Sequence, residues 1–180
     1  MLEVQKVIEK FRDVVIQQAK SNLSKSKKNN TKELYNSIDA EIVNEKDYTI
    51  VGFKMLNYGM FQDLGVKGAD PSKVSKNAKI RGQQAPNSPF SFKTKRPPSK
   101  FLEQWAKQKN FRLRDKKGKF KQGSYKTIGI ILSKNIWARG IKPSLFFTKP
   151  FEQAFKNLPN QVIEAFALDI KDLLDFTTQK

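Results

Sequence analysis

Three carboxylates at intervals of three, Asp169, Asp172 and Asp175, are the first residues of this chain whose spacing suggests chemistry. On a helix they share one side, where they would converge on a divalent ion. An apolar stripe runs along the opposite side, however, and a solvated helix face explains the same spacing, so that reading is preferred. Asp63 and Asp70 flank a Gly-rich turn, yet no third carboxylate follows at close spacing to make a metal-dependent nuclease. The glycines of that region, Gly52, Gly59, Gly65 and Gly68, lack the Gly-Lys-Ser/Thr ending of a phosphate-binding loop and read as turn residues. Gly118, in Lys-Lys-Gly-Lys, reads as the glycine of a tight turn.

What the chain lacks narrows the chemistry further. Its 180 residues include neither Cys nor His, which removes disulfides, thiolate nucleophiles, Cys/His zinc sites and imidazole acid–base catalysis. No catalytic, cofactor-binding or metal-ligating residue is assigned, and the expectation is a protein that is not an enzyme. Neither a secretory signal nor a membrane span is expected: residues 1–20 are interrupted by charges, and the longest apolar runs fall far short of the roughly 18 residues a spanning helix needs.

Charge is the positive signal. The formal net charge is +18, from 35 Lys and Arg against 17 Asp and Glu, and it is unevenly spread. Residues 67–126 hold 18 basic and 3 acidic side chains, a net of +15, whereas residues 150–180 come to −2. Within the basic third, Lys93, Lys95, Arg96, Arg112, Arg114, Lys116, Lys117, Lys119 and Lys121 are the candidate contacts, interleaved with Phe92, Phe101, Trp105, Phe111 and Phe120. Such a surface can track phosphates with aromatic platforms, as single-strand binders do, or it can meet an acidic protein neighbour. Core packing is the preferred reading of the aromatics, because Leu102 and Trp105 fit a helix face. A partner is the preferred reading of the charge, since +15 in 60 residues repels itself when uncompensated.

The elements that must carry these residues follow from periodicity. Residues 2–25 predict an amphipathic helix, with Val4, Val7, Ile8, Phe11, Val14, Val15 and Leu23 at spacings of three and four. Thr31 is placed to cap a short helix bearing Leu34, Tyr35 and Ile38. Residues 40–43 and 48–53 predict two strands around a four-residue polar connection. Residues 66–98 read as an extended basic loop or arm, longer than the about 12–15 residues usual for unstructured connections. Ser99 is placed to cap a helix with Phe101, Leu102 and Trp105. A basic turn region follows at 111–123, and a helix from 124 to 138 turns Ile128, Ile131, Leu132 and Ile136 inward before ending at Gly140. Pro150 opens a short helix, and Pro159 opens the last one, with Val162, Phe166, Ile170, Leu173 and Leu174 as its apolar face. The sum is a single α+β domain over 1–180: a small antiparallel β-sheet packed against several helices, with a long N-terminal helix.

Four short motifs in a fixed order resemble those of the tail-completion, or neck, proteins of tailed bacteriophages. Tyr58-Gly-Met-Phe61-Gln-Asp63-Leu-Gly65 is similar to that family's Tyr-x-x-Phe/Val-x-Glu/Asp-x-Gly element. Pro97-Pro98 with Leu102 and Trp105 resembles its Pro-Pro and Trp helix, and the helix ending in Arg139-Gly140 resembles its basic-Gly terminus. Pro143, Phe147 and Pro150 resemble its closing aromatic-Pro segment. Val66 departs from the family's frequent Thr, and the basic stretch 67–96 is longer than usual. The resemblance covers residues 3–175. It implies a structural virion protein of the head–tail junction, made in the bacterial host cytoplasm, through whose ring DNA passes. It further implies a homo-oligomeric ring, hexamer or dodecamer, abutting portal, adaptor or tail proteins, with the DNA backbone as a further partner and no membrane. Under it, Tyr58, Phe61, Asp63 and Gly65 organise a sheet edge and its turn, while Pro143, Phe147 and Pro150 fix the approach to the C-terminal helices.

Overall fold

The computed structural model describes residues 2–26, 31–74, 76, 78–115 and 117–178, the last six of these by backbone alone. The architecture is α+β: six α-helices and three two-stranded antiparallel sheets among the described residues. The chain divides into two compact units, Met1–Gly59 with Leu145–Lys180, and Met60–Ser144.

The first unit is built on two long helices, α1 (Leu2–Lys25) and α6 (Thr148–Thr178), which pack along one another. Helix α1 begins where its periodicity predicts and buries Phe11, Val15, Ala19 and Leu23. Ala19 and Leu23 join Leu34, Ile38 and Phe146 in a closed apolar cluster. A second cluster is all phenylalanine: Phe11, Phe53, Phe147, Phe151 and Phe155 meet mostly edge to face, with centroids 5.3–6.4 Å apart. The β1–β2 hairpin (Asp39–Asn44 and Thr49–Lys54) runs in register from Asp39 opposite Lys54 to Asn44 opposite Thr49.

Three local expectations for this unit need correction. The short helix α2 (Glu33–Ser37) is preceded by Lys32 at φ 58° with no side-chain cap, so Thr31 does not cap it, and Ile38 lies just past its end in extended backbone. Pro159 does not open a helix; it sits inside α6. One missing backbone donor interrupts one hydrogen bond, and long packing against α1 outweighs that loss. The side of α6 that packs is Phe151, Ala154, Leu158, Val162 and Ala165, leaving Phe166 and Ile170 of the expected face exposed. The side chains of Leu173 and Leu174 lie outside the described residues.

The second unit is made of short pieces around α5 (Tyr125–Arg139). Ser124 caps α5 by accepting from the Thr127 N–H, and Gly140 ends it at φ 90°. Its buried side is Ile128, Gly129, Ser133, Trp137 and Ala138, whereas Ile131, expected inward, is exposed. Helix α4 (Ser99–Gln108) packs on α5 at Gly129, where an added Cβ would lie 2.6 Å from the Ser99 carbonyl oxygen. Pro98, not Ser99, occupies the capping position of α4, without a side-chain cap.

The stretch 66–98 holds little regular structure, but backbone hydrogen bonds fasten it to its unit. Strand β3 (Val66–Lys67) pairs antiparallel with β6 (Gly140–Ile141). The amides of Ala69, Asp70 and Gln84 donate to the carbonyls of Trp137, Ala138 and Arg139. Lys67 donates to Phe90 and accepts from Phe92. Residues 111–123 form a β-hairpin, β4 (Leu113–Arg114) and β5 (Phe120–Lys121), rather than only a turn.

Candidate functional site

In the second unit the motif residues fall at positions with little steric freedom. Phe61 and Asp63 are on helix α3 (Tyr58–Leu64) rather than on a strand edge, and Gly65 makes the turn from α3 into β3. Gly65 stands at φ 74°, and a Cβ there would press within 2.8 Å of the Pro143 nitrogen. Gly140 lies opposite Lys67 in the β3–β6 pair, and its missing Cβ leaves room for Val66 and Gly68 backbone. Asp63 is 1% exposed, and its carbonyl, like that of Gln62, accepts from the Ser144 N–H. The Ser144 hydroxyl also donates to the Gln62 carbonyl at 2.6 Å. Phe61 meets Phe90 edge to face at 4.7 Å, and Trp105 meets Phe111 at 4.8 Å.

The Pro-Pro motif is tied to α5 from the other side. Ser133 donates to the Pro97 carbonyl at 2.6 Å, and the Trp137 indole N–H donates to the Lys93 carbonyl at 2.7 Å. Those two bonds hold residues 93–97 along α5, with Arg96 and Lys73 both placed over the Trp137 ring, at 5.0 and 5.6 Å. Arg139, half-buried, donates to the Ile80 carbonyl, and desolvation draws its guanidinium below the ordinary value. In the first unit Pro150 is fully buried and Phe147 belongs to the phenylalanine cluster. Tyr58 is partly exposed; its partial desolvation, then the neighbouring Glu33, pushes its pKa up.

The carboxylates turn out to have local structural work. Asp169 accepts from the backbone N–H groups of Glu3 and Val4, at 3.0 and 3.2 Å, and so caps the first turn of α1. Desolvation, the largest single influence, pushes its carboxyl up, yet the opposing influences together, those amides first among them, hold the group below its usual value. Asp169 is therefore more than a solvated residue of a helix face; the side chain of Asp175 lies outside the described residues. Asp70 caps the 3-10 turn Pro71–Lys73: the Ser72 hydroxyl bond and then Lys73 at 3.2 Å lower its pKa. Among the described residues no three Asp or Glu side chains gather as metal ligands would.

The basic candidates Lys93, Lys95, Arg96, Arg112, Arg114, Lys117, Lys119 and Lys121 are all exposed; Lys116 lies outside the described residues. Five of the exposed eight stand on the β4–β5 hairpin. Three aromatics expected in the core are on the surface instead, Phe101 at 69%, Phe120 at 61% and Phe111 at 38% exposure. Phe120 is not an open platform, because Arg114 lies 4.1 Å and Arg112 5.5 Å from its ring centroid.

A further surface went unread in the sequence. On α6, Phe155, Ile163, Phe166 and Ile170 repeat at helical spacing and stay exposed. Beside Phe166 and Ile170 a groove of about 640 Å³ is lined also by Leu2, Glu3, Lys6, Asp169 and Asp172. The signal was present as an apolar arc on α6 wider than one neighbouring helix can cover. No helix among the described residues is long and apolar enough to cross a membrane. Comparison with protein-family models, curated proteins and solved structures finds no match.

Proposed function

We propose that this protein is a structural subunit of a phage head–tail junction, a neck or tail-completion protein that assembles with copies of itself into a ring in the virion. A ring is closed by heterologous contacts, so each subunit must carry two unlike surfaces. The observation that carries the reading is the exposed apolar row Phe155, Ile163, Phe166 and Ile170, on a unit of near-zero net charge, in a chain whose other unit holds nearly all of the net positive charge. The ordered motifs support it as well, because Gly65 lies tight against Pro143 and Gly140 lies tight against the Val66 and Gly68 backbone, leaving neither glycine room for a Cβ. Portal, adaptor or tail proteins are the partners this role calls for.

Electron microscopy of the purified protein and of the particle tests the reading. Closed rings, and the protein present at the head–tail junction, are expected. A strictly monomeric protein that is absent from mature particles contradicts it.

A second reading, non-specific DNA binding through residues 67–126, is favoured by the clustering of exposed cations on the β4–β5 hairpin. The two readings are compatible, since a ring around DNA can touch its backbone. Retardation of duplex DNA at low salt, with log affinity falling linearly against log salt, is its expected signature.

A further inference from the structure

We infer that one face of the β4–β5 hairpin is a phosphate clamp for the backbone of duplex DNA, in which Arg112 and Arg114 are the contacts and Phe120 is the residue that positions them. The inference rests on the DNA-binding reading above and assigns its contact.

Strand geometry explains the grouping. Arg114 and Phe120 are direct cross-strand partners in the antiparallel pair, so their side chains share one face. Arg112, two residues before Arg114, falls on that same face because side chains alternate along a strand. Both guanidiniums consequently reach the one ring, within 5.5 Å of its centroid. Arg114 is fixed further by donating to the Gly118 carbonyl at 2.8 Å. A guanidinium held against an aromatic face keeps its edge N–H donors directed away from the ring, in the fork that matches phosphate oxygens.

The charge on this hairpin is uncompensated locally. Its carboxylate, Asp115, accepts the backbone N–H groups of Lys117 and Lys119 at 2.8 and 2.9 Å and so closes the turn. Among the described residues it forms no ion pair with Arg112, Arg114, Lys117, Lys119 or Lys121. Two guanidiniums brought to one ring, with three exposed lysines nearby, repel one another until an anion of several charges arrives. A polyanion with regularly repeated phosphates meets that need better than an isolated carboxylate.

The duplex form follows from the aromatics. A single-strand site needs open ring faces on which bases stack. Here Phe120 is engaged by guanidiniums, and Phe111 is packed edge to face on Trp105. On the hairpin itself what remains is backbone contact, which duplex DNA offers without unstacking its bases.

The test is fluorescence anisotropy of a labelled random-sequence DNA duplex with the full-length protein, titrated over a range of salt concentrations. Arg112→Gln with Arg114→Gln should lower the steepness of the log–log salt dependence by roughly 1.8, about 0.9 for each phosphate no longer neutralised, and weaken binding roughly 60-fold at 0.1 M salt. Phe120→Ala should produce part of that loss with every charge retained, and Phe120→Trp should restore it. Lys107→Gln with Lys109→Gln, at the C-terminal end of α4 and outside the hairpin, should leave most of the affinity in place. Circular dichroism should be the same for all these variants, because the substituted side chains are exposed. Wild-type protein that binds duplex while the hairpin variants keep its affinity and salt slope overturns the clamp but leaves DNA binding standing. Failure of the wild type to bind duplex at low salt removes the DNA reading itself. Displacement of duplex by poly-glutamate at equal charge concentration, or preference for single-stranded DNA, also overturns the proposal.

Discussion

In the first unit 14 Lys and Arg stand against 13 Asp and Glu; in the second, 21 stand against 4, so a net of +17 out of +18 resides in Met60–Ser144. The two also hold together by different means. The first unit buries aliphatic and phenylalanine side chains between long helices, so its stability lies in packed volume. The second has short elements and a long irregular stretch joined by backbone hydrogen bonds and by glycines in tight corners. The difference teaches where each is vulnerable: the first to cavities, the second to added atoms. It also teaches where charge is tolerated, because exposed loops and short hairpins accept dense lysine and arginine that a packed helical core cannot.

The largest expected effect breaks the first unit. Phe146→Ala removes a fully buried ring from the apolar cluster and should cost about 3–5 kcal/mol in urea unfolding. Phe120→Ala, an equal truncation on the second unit's surface, should change stability by less than about 0.5 kcal/mol. Equal losses at the two positions would dissolve the contrast between packed and surface phenylalanines.

Next comes the second unit's dependence on backbone space. Gly140→Ala places a Cβ against Val66 and Gly68 backbone at a positive φ, and a loss above about 2 kcal/mol is expected. Gly118→Ala has a similar φ but open space around it, so only the conformational cost of about 1–2 kcal/mol should appear. Measuring both by thermal unfolding separates crowding from backbone preference.

A smaller effect on folding is expected on the exposed row of α6. Phe166→Ser with Ile170→Ser should shift stability by less than about 0.5 kcal/mol per site, since both side chains are exposed, yet break the proposed ring into smaller species in sedimentation. Unchanged oligomers would move the subunit interface elsewhere.

The smallest effect concerns pH. Asp169 has a folded pKa below its unfolded value of about 3.9, so its contribution is present above that value and disappears as pH falls through the depressed one. The thermal midpoint of Asp169→Ala should therefore lie below wild type near neutral pH, and the gap should narrow on acidification below about pH 4. A gap that is constant with pH would mean that the carboxylate does not act as a charged cap on α1.

Local chemistry decided what could be read without coordinates. Helix α1, the β1–β2 hairpin, and α5 from Ser124 to Gly140 were legible because periodicity and terminal residues agree there. Pro159 was misleading because proline's preference for first turns is only a local bias, and the α1 packing overrides it. Thr31 and Ser99 have side chains suited to capping, but Lys32 and Pro98 stand at the capping positions of α2 and α4. Asp169 carries no sequence mark of its role, because the amides it caps are more than 160 residues away in the chain. The hairpin face of Arg112, Arg114 and Phe120 was legible as composition, but its cross-strand register was not. The exposure of Phe166 and Ile170 depends on which side of α6 meets α1, and the apolar pattern alone fits several orientations.

The central claim is assembly into a ring, and native mass spectrometry of the full-length protein at rising concentration tests it most directly. The account predicts one closed species, a hexamer or dodecamer of the 20.7 kDa chain, that persists on dilution and is lost in the Phe166→Ser, Ile170→Ser variant. A monomer at every concentration, or an open series of masses with no preferred closure, would contradict it.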